Sequence, residues 1–193
     1  MGPDLRRLLA ELHEEGRRHD AAEPEHRRRR RNLEPDAAEW LWWHVQAVAA
    51  GRVVEIGTSN GYSTIWLADA VAATNGVLTS VDVDAAAQDV AAAHLLRAEL
   101  TAELVTADGG AWLSTCSPGS VDVLFLDSDR SRYPAWWPAV QAALRPGGSL
   151  VIDNAISHAE EVQPFADLLR AAPGWVTALS PLGKGQLLAV APS

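Results

Sequence analysis

The sequence has almost no cysteine. Cys116 is the only one among 193 residues, which excludes an internal disulfide bond and a cysteine-rich zinc site. No apolar run approaches the ~20 residues that a membrane-spanning helix needs, and the charged N-terminal segment lacks the apolar core of a secretion signal. We therefore expect a cytoplasmic protein with no membrane partner.

Lysine is nearly absent as well. Of sixteen basic residues only Lys184 is a lysine, and 25 acidic residues give a formal net charge of -9. Because affinity for a phosphate backbone comes mainly from clustered basic residues, a nucleic-acid partner is disfavoured. The exception is a run of five arginines at residues 27–31. We interpret this run as a solvated arm, with a lip that guides an acidic substrate as the alternative.

The chain has an ordinary globular composition, with 48% hydrophobic residues and no composition break. We expect one domain over residues 1–193, with an N-terminal helical cap (1–50) and an α/β core (51–193). In the cap, Asp36 is the expected N-cap of a helix that Gly51 ends.

From residue 51 onward, short apolar runs alternate with longer Ala-rich amphipathic segments, which is typical of β-α units around a parallel sheet. The predicted strands are 53–56, 77–81, 103–106, 121–126 and 149–152. The predicted helices are 62–73, 85–100, 111–115, 135–144 and 159–172, with Asp84 capping the second and Pro146-Gly147-Gly148 forming a turn after the fourth. Residues 175–179 and 186–190 predict a terminal hairpin.

A glycine loop follows the first predicted strand. Gly57 and Gly61 allow tight turning, and the helix start near Ser63 can receive an anionic group. Asp82 ends the second strand, where a carboxylate can accept both hydroxyls of a ribose. The loop lacks the second glycine that a pyrophosphate needs, and Glu55 suits a positively charged group. S-adenosylmethionine (SAM) is therefore favoured over NAD, which remains a distant alternative.

Three oxygen-bearing side chains follow the fourth and fifth predicted strands. Asp127 comes after one strand, and Asp153 and Asn154 come after the other. Adjacent strand ends would bring them to one point. Two carboxylates and an amide form an oxygen set suited to Mg²⁺.

Four blocks of this sequence resemble a known family, the cation-dependent class I O-methyltransferases that include catechol and caffeoyl-CoA O-methyltransferases. The blocks are residues 55–64 (EIGTSNGYST), 81–82 (VD), 125–133 (FLDSDRSRY) and 146–154 (PGGSLVIDN). The similarity extends from about residue 32 to residue 190. It implies a Rossmann-like, doubly wound, seven-stranded mixed sheet whose last hairpin is antiparallel.

The resemblance also implies roles for individual residues. Gly57, Ser59 and Ser63 would hold the methionine part of SAM, Asp82 its ribose, and the metal ligands would be Asp127, Asp153 and Asn154. The full set of expected cofactor-binding residues is Glu55, Gly57, Thr58, Ser59, Gly61, Ser63, Asp82, Val83, Ala107, Asp108, Gly109 and Asp127, of which Ala107, Asp108 and Gly109 would flank adenine.

The sequence departs from the family at Arg130, where family members have a lysine proposed to deprotonate the substrate. Arginine stays protonated near neutral pH, so Arg130 can orient a substrate or stabilise an oxyanion but is a poor base. His158 is one alternative base, with a surface loop histidine as its plainer interpretation. Lys184 is another if the hairpin reaches the site, and bound Mg²⁺ can itself acidify a phenol. The expected catalytic residues are Arg130, His158 and Asp127.

Together these features predict a SAM- and Mg²⁺-dependent O-methyltransferase for a small acceptor with an aromatic or vicinal-diol hydroxyl. The alternatives are an RNA or N-methyltransferase and a SAM-binding protein without turnover. By analogy we expect a homodimer that uses the N-terminal helices and their tryptophans.

Overall fold

The computed structural model describes residues 1–25 and 28–193; His26 and Arg27, the first arginine of the run, lie outside them. The elements are α1 (Pro3–Ala22), α2 (Pro35–Ala47), β1 (Arg52–Ile56), α3 (Tyr62–Ala72), β2 (Val77–Asp82), α4 (Ala85–Arg97), β3 (Glu103–Thr106), α5 (Gly109–Leu113), β4 (Val121–Leu126), α6 (Tyr133–Ala143), β5 (Leu144–Ile152), α7 (Ala159–Ala171), β6 (Val176–Ser180) and β7 (Gln186–Val190). Within this described part, no helix has the length and apolar character to cross a membrane.

The seven strands form one sheet in the order β3-β2-β1-β4-β5-β7-β6. Strands β1 to β5 are parallel, whereas β7 pairs antiparallel with both β5 and β6. The predicted Rossmann-like mixed sheet with a C-terminal antiparallel hairpin is therefore confirmed. The strand order reverses direction between β1 and β4, which is where ligands bind in open α/β sheets.

The two faces of the sheet carry separate apolar cores. Val54 and Ile56 of β1 point to one face and pack with side chains of α5, α6 and α7. Val53 points to the other face and packs with α1, α2 and α3. Because helices cover both faces, the inner strands β1 and β4 are apolar on both sides, which explains why continuous apolar runs identified them.

Three local predictions are wrong. The N-cap of α2 is Glu34 and not Asp36, because Pro35 occupies the first helical position and moves the start forward. That helix ends at Ala47, before Gly51, since the chain turns through Ala49 at φ 47°. Strand β5 already begins at Leu144, and a register shift against β4 accommodates the segment predicted to be a turn. Asp84 caps α4 as predicted, accepting hydrogen bonds from the amides of Ala86 and Ala87.

Phe165 of α7 provides a test of the core between the sheet and helices α5, α6 and α7. Its ring is fully buried and contacts the rings of Tyr133 and Trp137 edge-on. Phe165→Ala should lower the free energy of unfolding by about 3–5 kcal/mol, because it removes buried apolar surface and leaves a cavity. Leu96→Ala is the control, since Leu96 is 80% exposed. Urea denaturation measures both, and equal small losses would contradict the packing described.

Candidate active site

Backbone hydrogen bonds join the carboxyl ends of four adjacent strands, β2, β1, β4 and β5, at one edge of the sheet. The amide of Gly57, after β1, donates to the carbonyl of Val81 in β2 at 2.8 Å. The amide of Asp127, after β4, donates to the last residue of β1 at 2.9 Å, and that of Asp153, after β5, donates to the last residue of β4 at 3.1 Å. The structure therefore brings the glycine loop and the acidic residues to the same edge.

The glycine loop packs closely against the segment after β4. Gly57 has φ 111°, and a Cβ at this position would clash with the carbonyl oxygen of Asp127. The amide of Ser59 donates to Asp82 Oδ2 at 2.9 Å, and the amide of Asp84 donates to Asp82 Oδ1 at 3.0 Å. Asp82 thus fixes the loop while keeping further lone pairs for a ligand.

Glu55 lies beneath this loop and is fully buried. Its carboxylate accepts hydrogen bonds from the hydroxyls of Ser63 at 2.5 Å, Thr64 at 2.6 Å and Ser80 at 2.5 Å. These donors come from the start of α3 and from β2. The carboxylate therefore ties the first turn of α3 to β1 and β2.

A second layer of polar side chains supports this carboxylate. Because Ser80 donates to Glu55, the hydroxyl of Thr58 must donate to Ser80, over 2.7 Å. Gln88 of α4 in turn donates from Nε2 to Thr58 at 3.1 Å. Thr58 is thus 1% exposed and belongs to the support of the loop rather than to its open face.

The burial of Glu55 corrects one expectation. We expected it to face the positive charge of the cofactor, but its side chain has no exposed surface and its oxygens are held by hydroxyls. Desolvation raises the pKa of Glu55 to about 7 despite the three hydrogen bonds that lower it. Glu55 is therefore a positioning residue for Ser63 and Thr64, and it has no direct ligand face.

The residues expected to flank adenine lie beyond β2 and β3. The amide of Ala107 donates to the Asp82 carbonyl at 2.9 Å, so the two strand ends stay adjacent. Asp108 caps α5 through the amide of Ala111 and pairs with Arg132 at 2.8 Å. Val83, next to Asp82, is 70% exposed, so its side chain is free to contact the adenine ring of a bound cofactor.

The expected metal ligands are also close together. Asn154 donates from Nδ2 both to Asp127 Oδ1 at 3.1 Å and to Asp153 Oδ2 at 2.9 Å. Asp153 is 4% exposed, and its Oδ1 is buried without a hydrogen-bond partner. One amide therefore bridges two carboxylates and leaves an acceptor oxygen unsatisfied.

The surroundings of these two carboxylates make their ionisation unfavourable. Desolvation raises the pKa of both Asp127 and Asp153, and the charge of Asp127 further raises that of Asp153. A divalent cation would supply the missing partner, and turning the Asn154 amide would present its oxygen. The set fits a metal, although the described residues contain no cluster of three or more His, Cys, Asp or Glu side chains that could hold one.

Arg130 follows Asp127 by three residues, and the amide of His158 donates to the carbonyl of Asn154 at 2.9 Å. Arg130 is 12% exposed and pairs through Nε with Glu161 at 3.0 Å. His158 is the N-cap of α7, and its Nδ1 lies 2.8 Å from the Ser157 hydroxyl. Desolvation and then the charge of Arg130 lower the pKa of His158, so its imidazole is neutral near pH 7.

The terminal hairpin brings Lys184 to the same place. Its carbonyl accepts hydrogen bonds from the amides of Ile156 and Ser157, both at 3.0 Å. Its ammonium group pairs with Glu34 at 3.4 Å. The sequence left open whether Lys184 reaches the site. It did not indicate that Glu34 pairs with Lys184 or that Glu161 pairs with Arg130, because neither glutamate belongs to a recognisable motif.

Glu55 generates a testable prediction about pH. Its pKa rises from 4.5 to about 7 on folding, so its contribution to stability is present below pH 4.5 and is lost as the pH rises through 7. Relative to Glu55→Gln, the wild type should lose roughly 2–3 kcal/mol of unfolding free energy between pH 5 and pH 8. Urea denaturation at several pH values measures this difference. If the free energies of unfolding of the wild type and Glu55→Gln change in parallel with pH, the account is contradicted. Glu99→Gln, which changes an exposed residue, is the control and should show the pH dependence of the wild type.

The sequence of this chain is similar to those of known methyltransferases. A model of the O-methyltransferase family matches residues 4–171. The chain is 32% identical over 130 residues to a catechol O-methyltransferase from Niastella koreensis, covering 65% of this chain and 58% of that protein. It is 34% identical over 112 residues to one from Mycobacterium tuberculosis, covering 57% and 50%. The matched part thus spans between half and three fifths of these two relatives.

A solved structure is similar to this chain over nearly its whole length. The cofactor-bound protein Rv0187 from MTB is 26% identical to this chain, with a TM-score of 0.78. The superposition covers 98% of this chain and 90% of that one. Since the family match includes the glycine loop, both acidic strand ends and most of the helices, the chain belongs to the O-methyltransferase family.

Proposed function

We propose that this protein transfers the methyl group of SAM to a hydroxyl of a small aromatic or vicinal-diol acceptor, with a divalent cation held by Asp127, Asp153 and Asn154. The observation that carries the proposal is the pair of carboxylates bridged by one amide, in which Asp153 is buried and its Oδ1 is unsatisfied. Such a pair is costly without a cation and is suited to Mg²⁺ with one.

The glycine loop supports SAM as the methyl donor. The first amides of α3 have no partner inside the helix and can receive a carboxylate. Asp82 keeps acceptor capacity for ribose hydroxyls, and Val83 offers an apolar surface beside it. Gly57 joins this loop to Asp127, so the donor and acceptor sites are adjacent.

The side chains around the carboxylates would orient the acceptor and move its proton. A bound Mg²⁺ would supply Lewis-acid charge that favours loss of the acceptor's hydroxyl proton. Arg130, fixed by Glu161, would stabilise the oxyanion, and neutral His158 would accept the proton. Most of the rate enhancement would come from holding the oxygen in line with the methyl group.

Asp153→Asn tests the metal site. The variant should lose metal-stimulated methyl transfer to catechol by about 100-fold or more, because one charged ligand is removed. In EDTA above pH 8, where both carboxylates are ionised, the same variant should be more stable than the wild type, since it relieves repulsion with Asp127. Activity with and without Mg²⁺, SAM binding by calorimetry and thermal unfolding measure these effects.

The matched control is Asp167→Asn, which removes an exposed carboxylate on α7 that pairs only with neighbouring side chains. It should leave activity and SAM affinity within about twofold of the wild type. Methyl transfer by Asp153→Asn that still responds fully to Mg²⁺ would refute the metal site.

His158→Gln tests the base. The variant should lower kcat about 100-fold and retain SAM binding, because a general base typically contributes 10²–10⁴-fold. Lys184 is the rival, although Glu34 engages its ammonium group. Exposed Glu160→Gln is the control on the same helix turn. If His158→Gln keeps full activity while Lys184→Met is inactive, the hairpin lysine is the base instead.

Trp43 is 57% exposed on α2, and this surface is where we propose that a second copy packs. RNA or nitrogen acceptors and SAM binding without turnover remain the alternatives to the proposed reaction. An acceptor panel that includes catechol and tRNA, with product detection by mass spectrometry, separates these possibilities.

A further inference from the structure

The described part of the arginine run belongs to a segment that joins α1 to α2, residues 28–34, which we call the strap. Its path is fixed by Asp20 near the end of α1. Asp20 Oδ1 accepts the amide of Arg30 at 2.7 Å, and Oδ2 accepts the amide of Arg31 at 2.8 Å. Asn32 adds a hydrogen bond from Nδ2 to the Leu12 carbonyl at 3.1 Å. The strap is therefore held by the body of α1 and is not a freely solvated arm.

The strap also touches the glycine loop. The Ser59 hydroxyl donates to the Arg30 carbonyl at 2.9 Å, while the Ser59 amide donates to Asp82. The next residue, Arg31, has φ 47°, and both its amide and that of Arg30 are held by one carboxylate. The backbone of Arg31 is thus fixed relative to the proposed cofactor site.

The charge of Arg31 reaches the proposed acceptor site. The strap reaches this site, because Glu34 at its end pairs with Lys184 at 3.4 Å. The charge of Arg31 is also among those that lower the pKa of His158, after desolvation and the charge of Arg130. Arg130 and Lys184 each have a carboxylate partner, Glu161 and Glu34. In residues 1–25 and 28–193, no carboxylate lies within ion-pair distance of Arg31, whose side chain is exposed.

This placement is unusual in a protein with a net charge of -9, whose overall field repels anions. The strap supplies a cation at the one edge of the sheet where the glycine loop and the acidic strand ends meet. A cation held by its backbone and lacking a carboxylate partner is suited to an anionic ligand group.

We propose that Arg31 is a specificity-determining residue that binds a carboxylate or similar anionic group on the methyl acceptor, and that Asp20 is the positioning residue for it. The natural acceptor is then an acidic hydroxylated compound rather than a neutral one. This inference rests on the proposed function, because that function identifies the acceptor site. A binding measurement can nevertheless test the role of Arg31 without methyl transfer.

Two diols of the same shape provide the test: catechol, and 3,4-dihydroxybenzoate, which adds a carboxylate. With SAM and Mg²⁺, the wild type should show the higher kcat/KM for 3,4-dihydroxybenzoate. Arg31→Gln should lower that kcat/KM about tenfold and leave the value for catechol within about twofold, because only the charged group loses its partner. Arg28→Gln is the matched control, since Arg28 lies on the same strap and pairs with Glu25.

Calorimetric binding of both diols to the full chain with S-adenosylhomocysteine and Mg²⁺ gives a second readout. If the wild type methylates neither diol, the proposed function fails, and the binding preference alone decides the role of Arg31. Asp20→Asn should reproduce part of the loss for 3,4-dihydroxybenzoate. Equal loss for both diols in Arg31→Gln, or no loss for either, would overturn the inference.

Discussion

The parallel pairing of β4 with β5 forces two carboxylates to one edge of the sheet, because Asp127 and Asp153 each follow the last paired residue of their strand. Neither can move away without breaking backbone hydrogen bonds that join the strand ends. Their mutual repulsion in a partly desolvated site is relieved only in part by the bridging amide of Asn154. The proposed cation and the acceptor site both follow from this constraint.

The neighbouring strand, β1, carries another carboxylate, which has a structural role. Glu55 is also a buried carboxylate, but three hydroxyls satisfy it, so it serves as a rigid support and not as a ligand. The contact between Gly57 and the backbone of Asp127 then fixes the glycine loop against the acidic pair. In the proposed reaction, this contact sets the distance between methyl donor and acceptor.

Much of the fold could be predicted from the sequence, because strands buried on both faces leave continuous apolar runs. The start of β5 could not, since Pro146-Gly147-Gly148 is typical of a turn and only the pairing with β4 shows a strand. The loop and the acidic strand ends were recognised from motifs. The buried role of Glu55 and the contact of Asp20 with the strap depend on tertiary packing between segments that share no local pattern.

The most direct test of the metal-dependent account is a crystal structure of the full chain with S-adenosylhomocysteine and Mn²⁺, recorded near the manganese absorption edge. The account predicts one anomalous peak between Asp127, Asp153 and Asn154, with ligand oxygens about 2.1–2.3 Å away and the Asn154 amide turned to present its oxygen. A structure in which Asn154 still donates to both carboxylates and no anomalous peak lies between them would contradict it.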